Sequence, residues 1–434
     1  MILILYHQKP RQQRKAISNH LLAFGKNPNV QVEYWNVAYG LPSVLANCGF
    51  DAVLFHFTFF LPNINKKFDH QFRHWGVLKQ MNVPKSALVQ DEYVNTQSIC
   101  NFLKEFNVET VFTCLPESLH QIVYPSSYTG VKHFHTVLTG YIDEEFVTSQ
   151  KDITKSHSNR SMDIVYRARK MPYNLGIFGT YKSKLTDVFL AATSKETFSV
   201  DLSNDPNDFI FGDDWFRFVG DSRTILGCEG GASLHDPDGT IRACCNKILN
   251  SQANTDFEQV KEICFKNQDE KFPYYAISPR HFEAAILKTC QVLLEGQYNG
   301  ILQADVHYIP IKKDFSNIDD VMEKIKNIPY CQQMAEKTYE DIVLSGRYNY
   351  QYFINFVLQN VLLHSNMNNL DKSEQKALKK LKYLNLHPYL VSPFLYIRMR
   401  AIETVKKLIW WTGIDKMLWF KKVEYLLFGS NAVR

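Results

Sequence analysis

The stretch SPRHFEAAILKTCQVLLEG, residues 278–296, joins a helix start to a buried strand. Ser278 is a favourable N-cap residue, and Pro279 suits the first helical position. The run QVLL at 291–294 has the length and composition of a strand covered on both faces. The stretch therefore predicts a helix over His281–Cys290 that leads into a parallel strand.

The same alternation of strands and helices extends along most of the chain. Strand-like runs lie at Met1–Tyr6, Val30–Trp35, Asp51–Phe60, Ser86–Val89, Glu109–Cys114, His133–Thr139, Asp163–Tyr166, Glu196–Val200, Thr224–Cys228 and His307–Pro310. Such alternation predicts parallel sheets with helices on both faces. We expect two α/β domains at 1–145 and 163–330, a polar linker at 146–162, and a helical region at 331–434 that includes one long helix at Lys337–His364.

Composition agrees with a folded, two-domain protein. The chain has 434 residues, of which 45% are hydrophobic and 21% charged, and this excludes a disordered or collagen-like chain. The apolar start MILILY has no basic segment before it, so it reads as a strand and not as a signal peptide. Nine cysteines without C-x-x-C spacing predict reduced thiols, with neither disulfides nor a zinc site, in a cytoplasmic protein.

Positive charge is concentrated at the C-terminus. Residues 371–434 contain 13 Lys and Arg against five acids, a net charge of +8, whereas the rest of the chain carries −3. A nucleic-acid partner is therefore not expected for the body of the protein. Trp410, Trp411 and Trp419 lie among lysines, which favours helices on an anionic membrane surface. The alternative is a helix that braces the two domains from outside.

The helix start at residue 278 is a candidate nucleotide site. Together with the Ser278 cap, the first helical amides favour an anion, and Arg280 has the fork that grips a phosphate through two hydrogen bonds. Glu283, one turn into the helix, suits two vicinal ribose hydroxyls. The alternative is an ordinary capped helix.

Further residues of the second domain suit a pyrophosphate. Glu229, Gly230 and Gly231 follow an apolar run, where two glycines can form an anion-binding nest or simply a turn. The cations Arg167, Arg169 and Lys182 could neutralise a leaving group without a metal, or be exposed loop charges. Asp236 and Asp238 form an Asp-x-Asp pair, but Pro237 and Gly239 favour a turn over a metal site. We expect neither a metal nor another cofactor.

The first domain offers candidates for a general base. Asp91 and Glu92 follow an apolar strand at its carboxyl end, where a carboxylate can reach a cleft and deprotonate an acceptor hydroxyl. Helix capping and solvation are the alternative roles. His56 lies within the run 51–60 and is a weaker candidate, because a lone histidine in such a run is commonly a core residue.

Five segments carry a family resemblance. The stretch 278–296 resembles the nucleotide-binding element of GT-B glycosyltransferases, and HYIPIKKDFSNIDDVMEKI (307–325) resembles the close of the same domain. DIVYRARKMPYNLGIFGTYK (163–182) and ILGCEGGAS (225–233) resemble bacterial surface-polysaccharide transferases of the capsule and O-antigen type, as does QDEY (90–93). One departure is that many retaining members carry another glutamate eight positions before the one matched by Glu283, with seven residues between the two, where this chain has Tyr275.

The resemblance implies two Rossmann-like domains facing a central cleft, with a C-terminal helical extension. It implies transfer of a sugar from a nucleotide-sugar donor, bound by the second domain, to a surface-glycan or lipid-linked acceptor at the inner face of a membrane. Two alternatives stay open at this point. One is a nucleotide-sugar epimerase of the same fold, and the other is a non-catalytic glycan-binding or scaffold subunit, which the missing glutamate favours.

Overall fold

The structure is a computed structural model that describes residues 1–8, 15–60, 68, 75–149, 154–194, 197–252, 254–363, 369–393, 396–397, 400–401 and 404. Its first part is a parallel sheet of six strands in the order β2-β1-β3-β4-β5-β6. These strands are β1 (Ile2–Tyr6), β2 (Val32–Asn36), β3 (Ala52–Phe55), β4 (Lys85–Leu88), β5 (Thr110–Thr113) and β6 (His133–Thr136). Residues 2–5 of β1 are fully buried, as apolar strands covered on both faces should be.

The second part is a parallel sheet of five strands in the order β13-β12-β9-β7-β8. These strands are β7 (Met162–Arg167), β8 (Val200–Ser203), β9 (Ser222–Gly227), β12 (Cys290–Leu294) and β13 (Tyr308–Ile311). A separate antiparallel pair, β10 (Gly230–Ala232) and β11 (Tyr274–Ala276), lies between β9 and β12 in the chain. In both sheets the first strand lies between the second and the third, so strand order reverses at β1/β3 and at β7/β9.

Helices cover the faces of both sheets. Those of the first part are α1 (Lys15–Ala23), α2 (Phe57–Phe60), α3 (Val77–Gln80), α4 (Thr96–Glu105), α5 (Glu117–Val123), α6 (Ser126–Thr129) and α7 (Glu144–Ser149). Those that follow are α8 (Ile177–Thr193), α9 (Asp213–Gly220), α10 (Thr240–Ser251), α11 (Phe257–Cys264), α12 (Pro279–Ile286), α13 (Ile318–Lys326), α14 (Ile328–Thr338), α15 (Tyr350–Leu362) and α16 (Lys372–Leu386).

The carboxyl edges of the two sheets face each other. Thr139, just after β6, donates a hydrogen bond to the carbonyl of Ile277, just before α12. A Cβ on Gly140 would lie 2.7 Å from Cγ of Pro279, so the two backbones approach closely here. Two Rossmann-like domains with facing carboxyl edges confirm the expected GT-B architecture.

The expectation of one long helix at Lys337–His364 is wrong. After α14 the chain forms a π-helical turn at Tyr339–Val343 and reaches a left-handed turn at Gly346, with φ of 69°. Asn349 then caps α15 by accepting a hydrogen bond from the Tyr352 amide at 2.8 Å. This break returns the chain to the first domain, where α15 buries apolar side chains in the core.

The expectation of reduced cysteines throughout is also wrong. Cys244 of α10 and Cys264 of α11 form a disulfide, while the other seven cysteines are free and buried. The two helices pack around a small apolar cluster that includes Leu234 and Val260. This packing, and not a local spacing motif, brings the two sulfur atoms together. Within the described residues, no helix is long and apolar enough to cross a membrane.

Candidate functional site

The candidate donor site lies at the carboxyl edge of the second sheet, beside the β7/β9 switch point. Ser278 caps α12 as expected, since its hydroxyl accepts a hydrogen bond from the Arg280 amide at 3.3 Å. The Arg280 guanidinium donates to the carbonyl of Arg167, the last residue of β7. Ligands of open α/β sheets bind outside the strand ends at such a switch point, and Arg280 is held there.

Trp215 of α9 connects the two residues predicted to bind the nucleotide. The Arg280 guanidinium lies over its ring, 4.7 Å from the centroid, and its indole Nε1 donates to Oε2 of Glu283 at 2.8 Å. The indole thus places a cation and a carboxylate on one side of α12. Trp215 was not found from the sequence, because DDWFRFVG reads only as an amphipathic helix with Trp215 on its apolar side.

The other predicted cations differ in how they are bound. Arg167 is buried, and its guanidinium donates to the carbonyls of Asp208 (2.9 Å) and Asp201 (3.0 Å) and pairs with the Asp201 carboxylate at 2.7 Å. Its charge is therefore used within the domain. The Arg169 guanidinium lies 5.1 Å from the centroid of the Phe209 ring.

Lys182 of α8 is half-buried and lies near the carboxyl end of β9. Burial raises the pKa of the Cys228 thiol there, and the Lys182 ammonium acts in the opposite direction. Lys182 is thus near enough to this edge to contribute its charge to a bound anion.

Glu229 holds a neighbouring turn. Its carboxylate is buried and accepts a hydrogen bond from the Tyr298 amide at 2.7 Å, which anchors the turn Tyr298–Gly300. Burial raises the pKa of Glu229. A Cβ on Gly296 would lie 2.3 Å from Glu229 Oε2, so the carboxylate fills the space beside that glycine.

Gly230 and Gly231 are strand residues in the structure. They pair with Ala276 and Tyr275 in the β10–β11 ladder. Gly231 has φ of 115°, and a Cβ there would lie 1.9 Å from the Tyr274 carbonyl oxygen. These glycines therefore allow the backbone of β10 to approach β11 closely, and they form a strand in place of the expected nest or turn. Their contact with a nucleotide stays a prediction.

The Asp-x-Asp segment forms the expected turn. Asp236 accepts hydrogen bonds from the amides of Ile241 (3.1 Å) and Arg242 (2.8 Å), and Asp238 accepts from Thr240 at 3.0 Å. Both carboxylates therefore cap the start of α10. Among the described residues, no group of three His, Cys, Asp or Glu side chains is placed to hold a metal ion.

In the first domain, Glu92 is a buried carboxyl group whose oxygens are hydrogen bonded within the protein. It is fully buried, and its oxygens accept hydrogen bonds from Thr113, from the Tyr124 hydroxyl at 3.0 Å and from the Cys114 amide at 3.1 Å. Burial raises the pKa of Glu92 to about 7, although these hydrogen bonds oppose the shift. A value near neutrality suits a general base, but the fully buried carboxylate is not accessible to an acceptor hydroxyl.

Asp91 is the exposed member of the pair. It adopts a left-handed backbone conformation with φ of 61°, and it is exposed whereas Glu92 is buried. Its carboxylate lies beside Tyr93, whose hydroxyl pKa is raised well above its usual value, first by burial and then by the Asp91 charge. Of the predicted bases, Asp91 alone is accessible to an acceptor.

His56 lies just after β3 and not in mid-strand, because the strand ends at Phe55 and α2 follows. The ring is fully buried; its Nδ1 is 3.0 Å from the Thr58 hydroxyl, and its Nε2 is 2.9 Å from Nδ1 of His20. Burial lowers its pKa well below the usual value. These contacts agree with the alternative that His56 is a core residue.

The two domains are joined directly beside Asp91 and Glu92. Val94 forms a parallel bridge with Asp236, and the Asn95 amide donates to the Asp236 carbonyl at 2.8 Å. Thr96 Oγ1 lies 2.8 Å from His235 Nε2. The residues that follow the candidate base are therefore in direct, buried contact with the segment between β10 and α10.

No protein-family model and no curated protein matches the sequence. Similar solved structures include an alpha-glucosyltransferase in complex with UDP-glucose and DNA containing an abasic site (10% identity, 83% of this chain and 99% of that chain, TM-score 0.49). Anabaena HepE in complex with UDP and glucose has 11% identity, 83% and 99% coverage and a TM-score of 0.47. Sucrose-phosphate synthase from Thermosynechococcus elongatus has 9% identity, 83% and 97% coverage and a TM-score of 0.45. The likeness extends to the fold alone, and the fold assignment above depends on the strand orders.

Proposed function

We propose that the protein is a glycosyltransferase that moves a sugar from a nucleotide-sugar donor to a surface-glycan or lipid-linked acceptor. The observation that carries the proposal is the cluster of Arg280, Trp215 and Glu283 at the switch point of the second sheet. A guanidinium suits the donor's diphosphate, and a carboxylate suits the ribose hydroxyls. The facing first-domain edge, with Asp91 exposed, supplies a place for the acceptor.

The proposed chemistry uses residues of the chain and no metal. Arg280 and Lys182 would stabilise the negative charge that develops on the leaving nucleoside diphosphate. Asp91 would accept the proton of the attacking hydroxyl. Closure around the donor would exclude water and reduce hydrolysis. Epimerisation without an acceptor is the competing outcome, and it would consume the donor with no glycan product.

A nucleotide screen tests the proposal. We expect UDP, GDP, CMP or dTDP to raise the melting temperature, because a ligand that binds only the native state stabilises it by about 2.7 kcal/mol at a hundredfold excess over Kd. Arg280→Ala should weaken the active nucleotide by about 1.5–3 kcal/mol, the value of a charged hydrogen bond. Arg217→Ala is the matched control, since Arg217 is exposed on α9 and pairs with Asp214.

The outcomes of this screen are distinct. Binding that Arg280→Ala weakens and Arg217→Ala does not would support the donor site. A chain that binds none of the four nucleotides would favour the non-catalytic scaffold. Nucleotide binding with equal loss in both variants would remove Arg280 from the site.

We also propose an anionic membrane surface, on the cytoplasmic side, as the place of action. The tail with Trp410, Trp411 and Trp419 lies outside the described residues, but the preceding α16 is described. At its end the apolar side chains of Tyr383 and Leu386 are 53% and 78% exposed, near exposed lysines such as Lys379. A basic surface with an aromatic rim suits anionic headgroups.

Vesicle sedimentation tests the membrane partner. The full chain should sediment with anionic vesicles and less so at high salt, because the attraction is screened within about 8 Å at physiological ionic strength. Deleting residues 402–434 should release the chain without loss of nucleotide binding. A full chain that stays in the supernatant with both anionic and neutral vesicles would exclude this partner.

A further inference from the structure

Asp269 occupies the position where helix α8 would hold an anion. Helix α8 follows β7, the first strand of the second domain, so its N-terminus lies at the carboxyl edge near the donor site. The exposed amides of such a helix start commonly bind phosphate groups. Here the Ile177 amide, the first of α8, instead donates to both carboxylate oxygens of Asp269, at 2.9 and 3.2 Å.

Further contacts fix the carboxylate in that place. The Ser233 hydroxyl donates to Asp269 Oδ1 at 2.7 Å, and the same hydroxyl oxygen accepts a hydrogen bond from the Phe178 amide at 3.3 Å. The Lys261 ammonium lies 3.7 Å from Oδ2, and only 2% of the Asp269 side chain is exposed. The carboxylate is therefore buried, hydrogen bonded and compensated by one cation, as a bound phosphate would be.

The preceding turn is shaped around this carboxylate. Gly176 has φ of 75°, and a Cβ there would lie 2.2 Å from Asp269 Oδ1 and 2.3 Å from the Ser233 hydroxyl. Because Gly176 has no side chain, the Asp269 carboxylate reaches the helix start. Residues from three separate segments thus converge on one internal anion.

We propose that Asp269 is a specificity-determining residue. Its carboxylate occupies the start of α8 and so prevents a phosphate group from binding there. The donor's diphosphate is then bound by the side-chain cations Arg280 and Lys182. The inference rests on the proposed function for the identity of the donor. The amides at the start of α12 support it, since those of Arg280 and His281 are already engaged by Ser278 at 3.3 and 3.0 Å. Recognition of the diphosphate would then depend on side chains more than on helix amides.

The test measures pyrophosphate binding to the full chain by isothermal titration calorimetry. Asp269→Ser and Asp269→Ala empty the α8 start while Ser233 and Lys261 remain, so each should gain a second pyrophosphate equivalent, bound about tenfold or more tightly than any second equivalent on the wild type. Asp256→Ser is the matched control, because the Asp256 carboxylate caps α11 by accepting from the Gln259 amide at 2.9 Å. Unchanged stoichiometry and affinity in folded Asp269 variants, or an equal gain in Asp256→Ser, would overturn the proposal.

A measurement on variants that retain Asp269 keeps the test decisive if the Asp269 variants do not fold. Arg280→Ala should abolish pyrophosphate binding, and Lys261→Ala should leave it unchanged within a factor of about two. If instead Lys261→Ala abolished pyrophosphate binding and Arg280→Ala left it unchanged, pyrophosphate would be displacing Asp269 from the start of α8, and the proposal would be wrong. Pyrophosphate has neither base nor sugar, so its binding does not depend on which nucleotide the protein recognises. If the chain binds no nucleotide but Asp269→Ser still binds a second pyrophosphate equivalent, the proposed function would be contradicted and the inference about Asp269 would stand.

Discussion

The two sheets share one strand order over five strands, and the first sheet adds a sixth, but their carboxyl edges carry different chemistry. At the first edge, His56 and Glu92 are fully buried and satisfied by neighbours, and Asp91 alone among the predicted bases is exposed. At the second edge, Arg280 and Glu283 converge on Trp215 and Lys182 lies close by. The candidate residues of the first edge are thus mostly buried, whereas the second edge carries a cluster of charged side chains at its switch point.

This difference indicates that a shared topology does not distribute function equally. The order of strands decides where a ligand is able to bind, but the side chains that follow each strand decide which ligand does so. The charged second edge suits a nucleoside diphosphate. The first edge offers one carboxylate over an apolar interior, which suits a neutral hydroxyl acceptor.

Asp91→Asn should have the largest effect on turnover, and it tests whether the exposed Asp91 differs in function from the buried Glu92 and His56 at the first edge. Turnover should fall by about 10²–10⁴-fold, the usual contribution of a positioned general base. Nucleotide affinity should stay unchanged, because the proposed donor site lies at the opposite edge. Asp187→Asn, which alters an exposed carboxylate on α8, serves as the control in the same transfer assay. Full turnover in Asp91→Asn would mean that the base lies elsewhere.

Glu92→Gln should change the pH dependence of stability. Burial raises the pKa of Glu92 from 4.5 to about 7, so the folded state holds this proton more tightly than the unfolded state. The stabilisation is full below pH 4.5 and is lost as pH rises through about 7. Relative to Glu92→Gln, the wild type should therefore lose on the order of 3 kcal/mol between pH 4.5 and 8.

Denaturant unfolding of both proteins at pH 5 and pH 8 checks this difference. Subtracting the two curves removes the shared contributions of His20 and His56, whose pKa values are lowered by burial. A difference in the free energy of unfolding that is constant with pH would show that Glu92 is ionised or solvated in the folded protein. The description of Glu92 as a buried, protonated carboxyl group at the first edge would then be wrong.

Trp215→Phe should have a smaller effect at the second edge. Phenylalanine keeps a ring beneath Arg280 but removes the hydrogen bond to Glu283, so nucleotide affinity should fall by about 1.5 kcal/mol, roughly tenfold. Trp35→Phe is the control, because Trp35 Nε1 donates to the Gly40 carbonyl at 2.7 Å in the first domain. An equal loss in both variants would mean that Trp215 acts only through packing.

The sequence predicts the sheets well, because a parallel strand covered on both faces is an apolar run in any context. Ile2–Tyr6, Thr110–Thr113 and Gln291–Leu294 lie where the pattern places strands. Two expectations are wrong: Cys290, expected to end a helix, begins β12, and the expected strand at Glu196–Val200 shares only Val200 with β8. The break between α14 and α15 has few local signals, namely Gly346 and the cap residue Asn349. The direction of α15 after the break depends on distant residues, because its apolar side chains are buried in the core of the first domain.

Site residues are harder to predict, because burial is decided by distant residues. Asp91 and Glu92 are adjacent and chemically alike, yet Thr113 and Tyr124 seal only Glu92. Nothing near either residue in the sequence carries that information. Asp269 is a similar case, since its role depends on Gly176 and Ser233 from other segments. The capped start at Ser278 was predictable because the cap and its helix are neighbours in the chain.

Chelation should have the smallest effect, and it tests whether fixed cations at the second edge take the place of a metal. Asp236 and Asp238 engage their carboxylates with backbone amides of α10, so a divalent ion would have to compete with those hydrogen bonds. Arg280 and Lys182 already supply positive charge beside the strand ends, where the leaving diphosphate would lie. We therefore expect transfer to continue in EDTA within a factor of about two, the error of a typical rate measurement. Asp238→Asn should likewise leave turnover unchanged and lower stability only slightly, because asparagine caps a helix start about as well as aspartate. Activity lost in EDTA and restored by Mg²⁺ or Mn²⁺ would contradict this view of the second edge. If Asp238→Asn also raised the metal concentration needed for half activity, the Asp-x-Asp segment would be the metal site, and Arg280 and Lys182 would assist the metal in neutralising the diphosphate.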